Sequence, residues 1–415
     1  MNAASDPPSS AAMRTAWLVV ALLVPVALLN YLDRQMLASM KGSVMGDVTD
    51  IGSEKNWGFL LGSFKWVYAL FSPLGGYLAD KLGRRRVIIF SLIAWSLVTW
   101  ATGHVGTYPQ LLATRAVMGI SEAFYIPAAL ALIADYHLGR TRSRAVGIHQ
   151  IGIYAGVIVG SFSGYAADSP SVGWRGAFEA CGLVGVLYAL PLFFLLRDAP
   201  QRMENPAPVS VASAARGLLR NRNFILLVLY FTLPAIAGWV VRDWMPAIMR
   251  DELKMKQGPA GVSATVWWQG AAIISAILGG WLADRWMGRS LRGRIHASAF
   301  GMGFIIPALL GIGFALSHQS LWVAVTFLVL YGLGWGLFDC NNMPILCQIA
   351  RPEFRATGYG IMNFVSISIG GFADWGFGAL RDQKVPLPLI FGLISVAAAV
   401  SLVMILMIRP SEKES

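Results

Sequence analysis

Nine charged side chains stand inside otherwise apolar stretches: Asp33, Arg34, Lys65, Arg115, Glu122, Arg242, Asp243, Asp339 and Asp374. A charge at the centre of a bilayer costs about 2.5–3.5 kcal/mol on insertion scales, so each is a candidate for function. Arg34 carries a planar guanidinium that meets a carboxylate through two hydrogen bonds and stays charged when buried. We read it as an anchor for an anionic substrate; the alternative is an arginine near its helix end that snorkels to the interface. Asp33 points about 100° around the helix from it, as a second proton site or an ion-pair partner. Arg115 and Glu122 lie seven residues apart, two turns or roughly 10 Å along one helical face. Burial and a neighbouring arginine act in opposite senses on a carboxyl's hold on its proton. That competition suits Glu122 as a proton-coupling group tuned by Arg115; the alternative is a permanent ion pair that fixes the helix.

Lys65, within Leu60-Leu61-Gly62-Ser63-Phe64-Lys65-Trp66-Val67-Tyr68, is either a second anchor for an anion or the neutraliser of Asp33 or Glu122. Asn341 and Asn363 offer amides, whose donors and acceptor suit a polyhydroxylated ligand; the alternative is interhelical bonding. Arg242 and Asp243 form a gate pair, or Arg242 lines a cavity. His149 reads as a packed interior histidine rather than a proton site. The role of Asp339 stays open.

The elements that hold these residues follow from composition. The 415 residues are 56% hydrophobic and 13% charged, with 44 glycines and a mean hydropathy of +0.59. Soluble domains are about a quarter charged, so the chain reads as a polytopic membrane protein. A spanning helix needs about 20 apolar residues. Twelve segments qualify, near 15–38, 57–80, 86–105, 108–135, 143–166, 177–197, 223–248, 263–286, 295–317, 320–348, 355–380 and 387–408. With the N-terminus in the cytoplasm, 21 of the 33 Lys and Arg fall in cytoplasmic loops and tails, 8 in outer loops and 4 in helices. This positive-inside asymmetry accounts for the net charge of +11 without nucleic acid. Cys181, Cys340 and Cys347 lie in apolar stretches at spacings that suit neither a metal site nor a disulfide framework. No cleavable signal peptide is expected, because the first apolar stretch is too long and lacks a cleavage site.

Polarity divides the chain into a tail (1–14), a six-helix bundle (15–197), a Pro/Ala/Ser-rich cytoplasmic linker (198–222), a second six-helix bundle (223–408) and a C-terminal tail (409–415). The bundles repeat one another. Gly75-Gly76-Tyr77-Leu78-Ala79-Asp80 recurs as Gly279-Gly280-Trp281-Leu282-Ala283-Asp284. Arg144-Ala145-Val146-Gly147 recurs as Arg355-Ala356-Thr357-Gly358, and Glu122 five residues before Pro127 as Asp339 five before Pro344. Such parallel repeats are related about the membrane normal.

Gly76-x-x-x-Asp80-Lys81-x-Gly83-Arg84-Arg85-Arg86 resembles the signature loop of the major facilitator superfamily, and Gly173-Trp174-Arg175 fits it too. Within that superfamily, Asn30-Tyr31-Leu32-Asp33-Arg34, Gly62 to Tyr68 and Arg115-x6-Glu122 resemble the anion:cation symporter family of hexuronate, galactonate and sialic acid carriers. The Asp-Arg and Arg-x6-Glu pairs are also similar to those of spinster-like lipid transporters. The resemblance implies an all-α integral membrane fold of twelve transmembrane helices in two bundles, working by alternating access. It implies Tyr31 and Asn363 beside the substrate, and Gly76, Asp80, Gly83, Arg84 and Asp284 as a cytoplasmic gate. The chain departs from the pattern at Lys65, where an aromatic is commoner, at Ile153, where galactonate carriers have glutamine, and at Arg242-Asp243.

The expected function is proton-coupled symport of a small organic anion, a sugar acid or another carboxylate; the alternative is lipid or lysolipid transport. No catalytic residue, metal or cofactor is expected beyond the proton as coupling ion. No GxxxxGK[ST] loop is present to support an ATP-driven pump. The expected partners are the anion, protons and the bilayer. The expected setting is a monomer in a bacterial inner membrane with both termini cytoplasmic.

Overall fold

The computed structural model describes residues 10–137, 141–199 and 211–410. Most of the two tails' ends and linker residues 200–210 therefore lie outside the described residues. Every regular element among those described is helical. A bilayer core offers no water to free backbone groups, so a chain this apolar satisfies them within helices.

The first half comprises α1 (Ser10–Ser39), α2 (Lys41–Asp47), α3 (Glu54–Leu82), α4 (Arg84–Thr102), α5 (Tyr108–Ala123), α6 (Tyr125–Tyr136), α7 (Arg142–Ser161), α8 (Ser163–Asp168) and α9 (Gly173–Leu195). After the short α10 (Val211–Leu219) come α11 (Arg222–Glu252), α12 (Gln257–Met287), α13 (Gly293–Ser317), α14 (Leu321–Asp339), α15 (Asn342–Ile349), α16 (Arg355–Asp382) and α17 (Leu387–Met407). α5 with α6, α7 with α8 and α14 with α15 each form one broken rod, giving twelve crossings. Ten are long and apolar enough to span a membrane by hydropathy alone. The other two, α3 and α16, have the length but carry buried polar groups such as Lys65 and Asp374. The expected linker holds α10, a regular element that its polar composition did not reveal. Phe90, Phe194, Ile277 and Trp322 turn 67–72% of their surface outward, as a lipid-facing coat requires.

Both repeated acid–proline pairs break their helices. α5 ends after Glu122, and Pro127 sits in the first turn of α6; α14 ends at Asp339, and Pro344 sits in the first turn of α15. A proline there has no N–H for the carbonyl four residues back. The third repeat shifts register. Arg142 Nε and Nη2 donate to the carbonyls of His137 (3.2 Å) and Ala134 (3.4 Å), and Arg355 does the same to Ala350 (3.4 Å) and Cys347 (3.1 Å). Arg142, not Arg144, is thus the structural counterpart of Arg355.

The halves meet at the end opposite the chain termini, here the far end. Asp382, closing α16, accepts from the amides of Glu54 and Lys55 at the start of α3, both at 2.9 Å. Asp168, closing α8, accepts from the amides of Gln257 (3.3 Å) and Gly258 (2.8 Å) at the start of α12. Each half thus caps the orphan amides of a helix in the other. From there α3 and α16 run backbone to backbone: a Cβ on Gly58 would lie 2.3 Å from the Asp374 carbonyl oxygen, and one on Gly378 2.2 Å from that of Glu54. Further hydrogen bonds between the halves lie at mid-depth, from Gln35 to Thr265 (3.4 Å) and from Trp66 to the Ser368 carbonyl (3.1 Å).

Candidate functional site

α1 places Tyr31 and Arg34 three residues apart on one face, and α3 brings Phe64 and Tyr68 against them. The Arg34 guanidinium carbon lies 4.7, 4.8 and 4.9 Å from the ring centroids of Tyr31, Phe64 and Tyr68. Its Nε donates to Glu122 Oε2 at 2.5 Å and its Nη2 to Asn30 Oδ1 at 3.1 Å. Glu122 is fully enclosed, whereas the Arg34 side chain keeps 15% of its surface. The guanidinium therefore has one edge on a buried carboxylate and another toward a cavity, and it does not snorkel.

Behind this pair lie Asp33 and Arg115, 1% and 2% exposed. Thr99 Oγ1 donates to Asp33 Oδ2 at 3.1 Å. Asp33 Oδ1, Glu122 Oε1 and the Arg115 Nε and Nη2 find no hydrogen-bond partner among the described residues. Asp33, Arg34, Arg115 and Glu122 act on one another electrostatically. The direct partner of Glu122 is Arg34 rather than Arg115, which stands nearby as a second positive charge.

The cavity measures about 200 Å³ and is lined by Tyr31, Arg34, Tyr68, Gln150, Tyr154, Trp239, Arg242, Gln269, Asp339 and Asn363, among others. Both halves contribute. Arg242 faces it with the rings of Trp239 and Tyr31 at 5.2 and 5.8 Å, and its buried Nε has no hydrogen-bond partner among the described residues. Two guanidiniums, several rings and a set of amides can hold an anionic head and a flat or apolar body. Tyr31, Arg34 and Asn363 are thus brought together on this one cavity. Asp339, whose role the sequence left open, also lines it, and Gln150 and Tyr154 join it there because the fold gathers them. Among the described residues no three His, Cys, Asp or Glu side chains gather as a metal ion would require.

Two expected anchors are elsewhere. Lys65 does not line the cavity; its Nζ binds Asp243 Oδ2 at 2.5 Å and Asp374 Oδ2, over the Trp239 ring at 4.1 Å. Neither Asp33 nor Glu122 is its partner, because the Lys65 side chain reaches across to the second half. Arg242 and Asp243 do not pair with each other: adjacent on a helix, they face the cavity and Lys65 respectively. Asn341 is 2% exposed and donates to the Leu337 carbonyl at 3.0 Å, which ties the end of α14. His149 is buried with Nε2 2.9 Å from the Tyr125 hydroxyl, as a packed histidine would be.

At the terminal end Gly83 joins α3 to α4 with φ +93°, a left-handed turn that favours glycine. Arg84 then folds back onto Asp135 and the Ala131 carbonyl (2.7 Å), with Asp80 at 3.5 Å. Asp135 is a partner that the loop motif did not disclose. A Cβ on Gly76 would meet nothing within 4 Å in this conformation. In the second half Asp284 lies 3.6 Å from Arg294 and is 76% exposed. Arg84 with Asp80 and Asp135, and Asp284 with Arg294, are thus ion pairs formed inside one half each.

Residues 23–373 match the sequence pattern of the Major Facilitator Superfamily. An MFS-type efflux pump of Mycolicibacterium smegmatis is 28% identical over 378 residues, covering 89% of this chain and 85% of the relative. Protein spinster of Drosophila melanogaster is 26% identical over 377 residues, 86% of this chain and 60% of the relative. A crystal structure of a bacterial homologue of the human lysosomal transporter spinster, inward-facing and unoccupied, superposes with a TM-score of 0.75 at 20% identity, covering 96% of each chain. With its all-helical fold and its cavity between two repeated halves, the chain belongs to the Major Facilitator Superfamily, a membrane transporter and not an enzyme.

Proposed function

We propose that the protein carries a small organic anion together with protons by alternating access. The observation that carries this reading is Arg34, held between the cavity and Glu122. When Glu122 is ionised it occupies the guanidinium. When Glu122 takes a proton the guanidinium is released, and an anion in the cavity satisfies it through charge-assisted hydrogen bonds. Proton and anion thus favour each other's binding at two adjoining sites, the linkage that symport needs. Arg242 supplies a second positive contact from the other half, so that a bound anion draws the halves together. Asn363 with Gln150 and Gln269 fits hydroxyls, which supports a sugar acid or another carboxylate. The basic loops at the terminal end support an inner-membrane setting with that end cytoplasmic, and this conformation is then inward-facing.

A second reading, transport of a lipid or lysolipid with an anionic head, is supported by the similarity to spinster and by the rings of Phe231, Trp239, Trp268, Trp335 and Phe338 around the cavity. A thermal-shift screen of sugar acids, dicarboxylates and lysolipids separates the two.

Glu122→Gln tests the coupling in proteoliposomes. The variant mimics the protonated state, so substrate binding and counterflow between equal pools continue while accumulation driven by a pH gradient stops. Retained gradient-driven accumulation would move the coupling site to Asp33. Loss of both binding and counterflow would assign Glu122 to the substrate or the fold.

A further inference from the structure

Lys65 comes from the first half, and its two carboxylate partners, Asp243 of α11 and Asp374 of α16, come from the second. The three side chains keep 4%, 12% and 0% of their surface. Both Oδ2 atoms contact the same Nζ, so the carboxylates share one site. With all three groups ionised the cluster carries one uncompensated negative charge. The neighbouring charges on the packed elements do not supply the missing cation. Lys41 pairs with Glu54 and lies 5.1 Å from the Trp244 ring, Arg381 pairs with Glu252, and Arg242 faces the cavity rings of Tyr31 and Trp239. Like charges confined in a buried site are relieved by retaining a proton, which belongs to the pair rather than to either acid.

We propose that Lys65, Asp243 and Asp374 form a proton-loaded lock on the far end. One proton is shared by the two carboxylates while that end is shut. It leaves when α3 parts from α11 and α16 and water solvates both acids. The lock is separate from Glu122, whose proton answers to the cavity. Its position supports this role, because the seam of Gly58 and Gly378 and the Asp382 cap lie on the same two helices. The closed form binds one more proton than the open form, so acid favours closure and alkali favours opening. Within the window between the two titrations, the ratio of open to closed changes by about tenfold per pH unit.

The test is a distance distribution between spin labels on cysteines at the exposed positions Thr107 and Gln383 of the two far-end loops, with Cys181, Cys340 and Cys347 replaced by alanine. In the otherwise native protein the longer distance should gain population as pH rises. Asp374→Asn and, at the more accessible acid, Asp243→Asn leave one carboxylate for one ammonium and should stay at the short distance at every pH. Glu122→Gln should keep the native response. A native distribution that ignores pH would overturn the proposal. So would a native response in both asparagine variants, or its loss in Glu122→Gln alone.

Discussion

Arg34 is clasped by three rings and two oxygens, and each contact uses a property that lysine lacks. The flat guanidinium stacks, and its separate N–H groups divide between Glu122 and Asn30. Arg34→Lys should therefore leave folding and surface expression intact but weaken anion binding about tenfold or more, a loss of about 1.4 kcal/mol or above. Calorimetric titration checks this; affinity within about threefold of native would place Arg34 outside the site. Arg242→Gln should cost a similar factor, because the cavity loses the guanidinium whose Nε has no hydrogen-bond partner among the described residues. Arg34 and Glu122 were legible as candidates because an ionised group in an apolar run needs a reason to be there. Their pairing was not, since the two lie 88 residues apart and meet only where two helices pack. Lys65 was legible as unusual, but its partners are 178 and 309 residues away, and no local pattern names them.

At the scale of elements, apolar length alone located the crossings and misplaced only their edges. What it missed are devices at helix ends. Arg142 and Arg355 bind the last carbonyls of α6 and α15, groups that no residue within those helices can satisfy. Arg142→Ala and Arg355→Ala should each destabilise by about 1 kcal/mol. The check is a thermal melt in detergent, with a fall of about 2 °C; a fall in one variant alone would break their equivalence. Gly58→Ala is expected to be harsher. The methyl has no place beside the Asp374 carbonyl, and overpacking of this kind costs about 1–3 kcal/mol. Because the strain arises only when α3 and α16 are together, it should shift the protein toward the far-open form rather than unfold it. Faster alkylation of a cysteine at Tyr31 by a reagent added on the far side reads that shift.

The whole molecule shuts its far end with two reciprocal caps, Asp382 on α3 and Asp168 on α12. The internal repeat was visible in two short motifs, and in a third two residues out of register, but not that each copy would supply the other's cap. Such a contact joins the end of one half to the start of a helix in the other, so it exists only in the assembled fold. Asp382→Ala removes about 1 kcal/mol from the closed form, which moves the open-to-closed ratio about fivefold. The double variant with Asp168→Ala should add to it, as caps at separate sites do; single-molecule distance measurement gives both ratios. Between these caps and the cavity, α3 and α16 lie backbone against backbone at Gly58, Gly62 and Gly378, where no methyl group would fit. Backbone laid this closely leaves no bore between these two helices for a file of water, and so none for protons hopping along it. The glycine seam is therefore insulation. For the proton-coupled carrier proposed here, that seam keeps the two poles of its battery apart while the far end is shut.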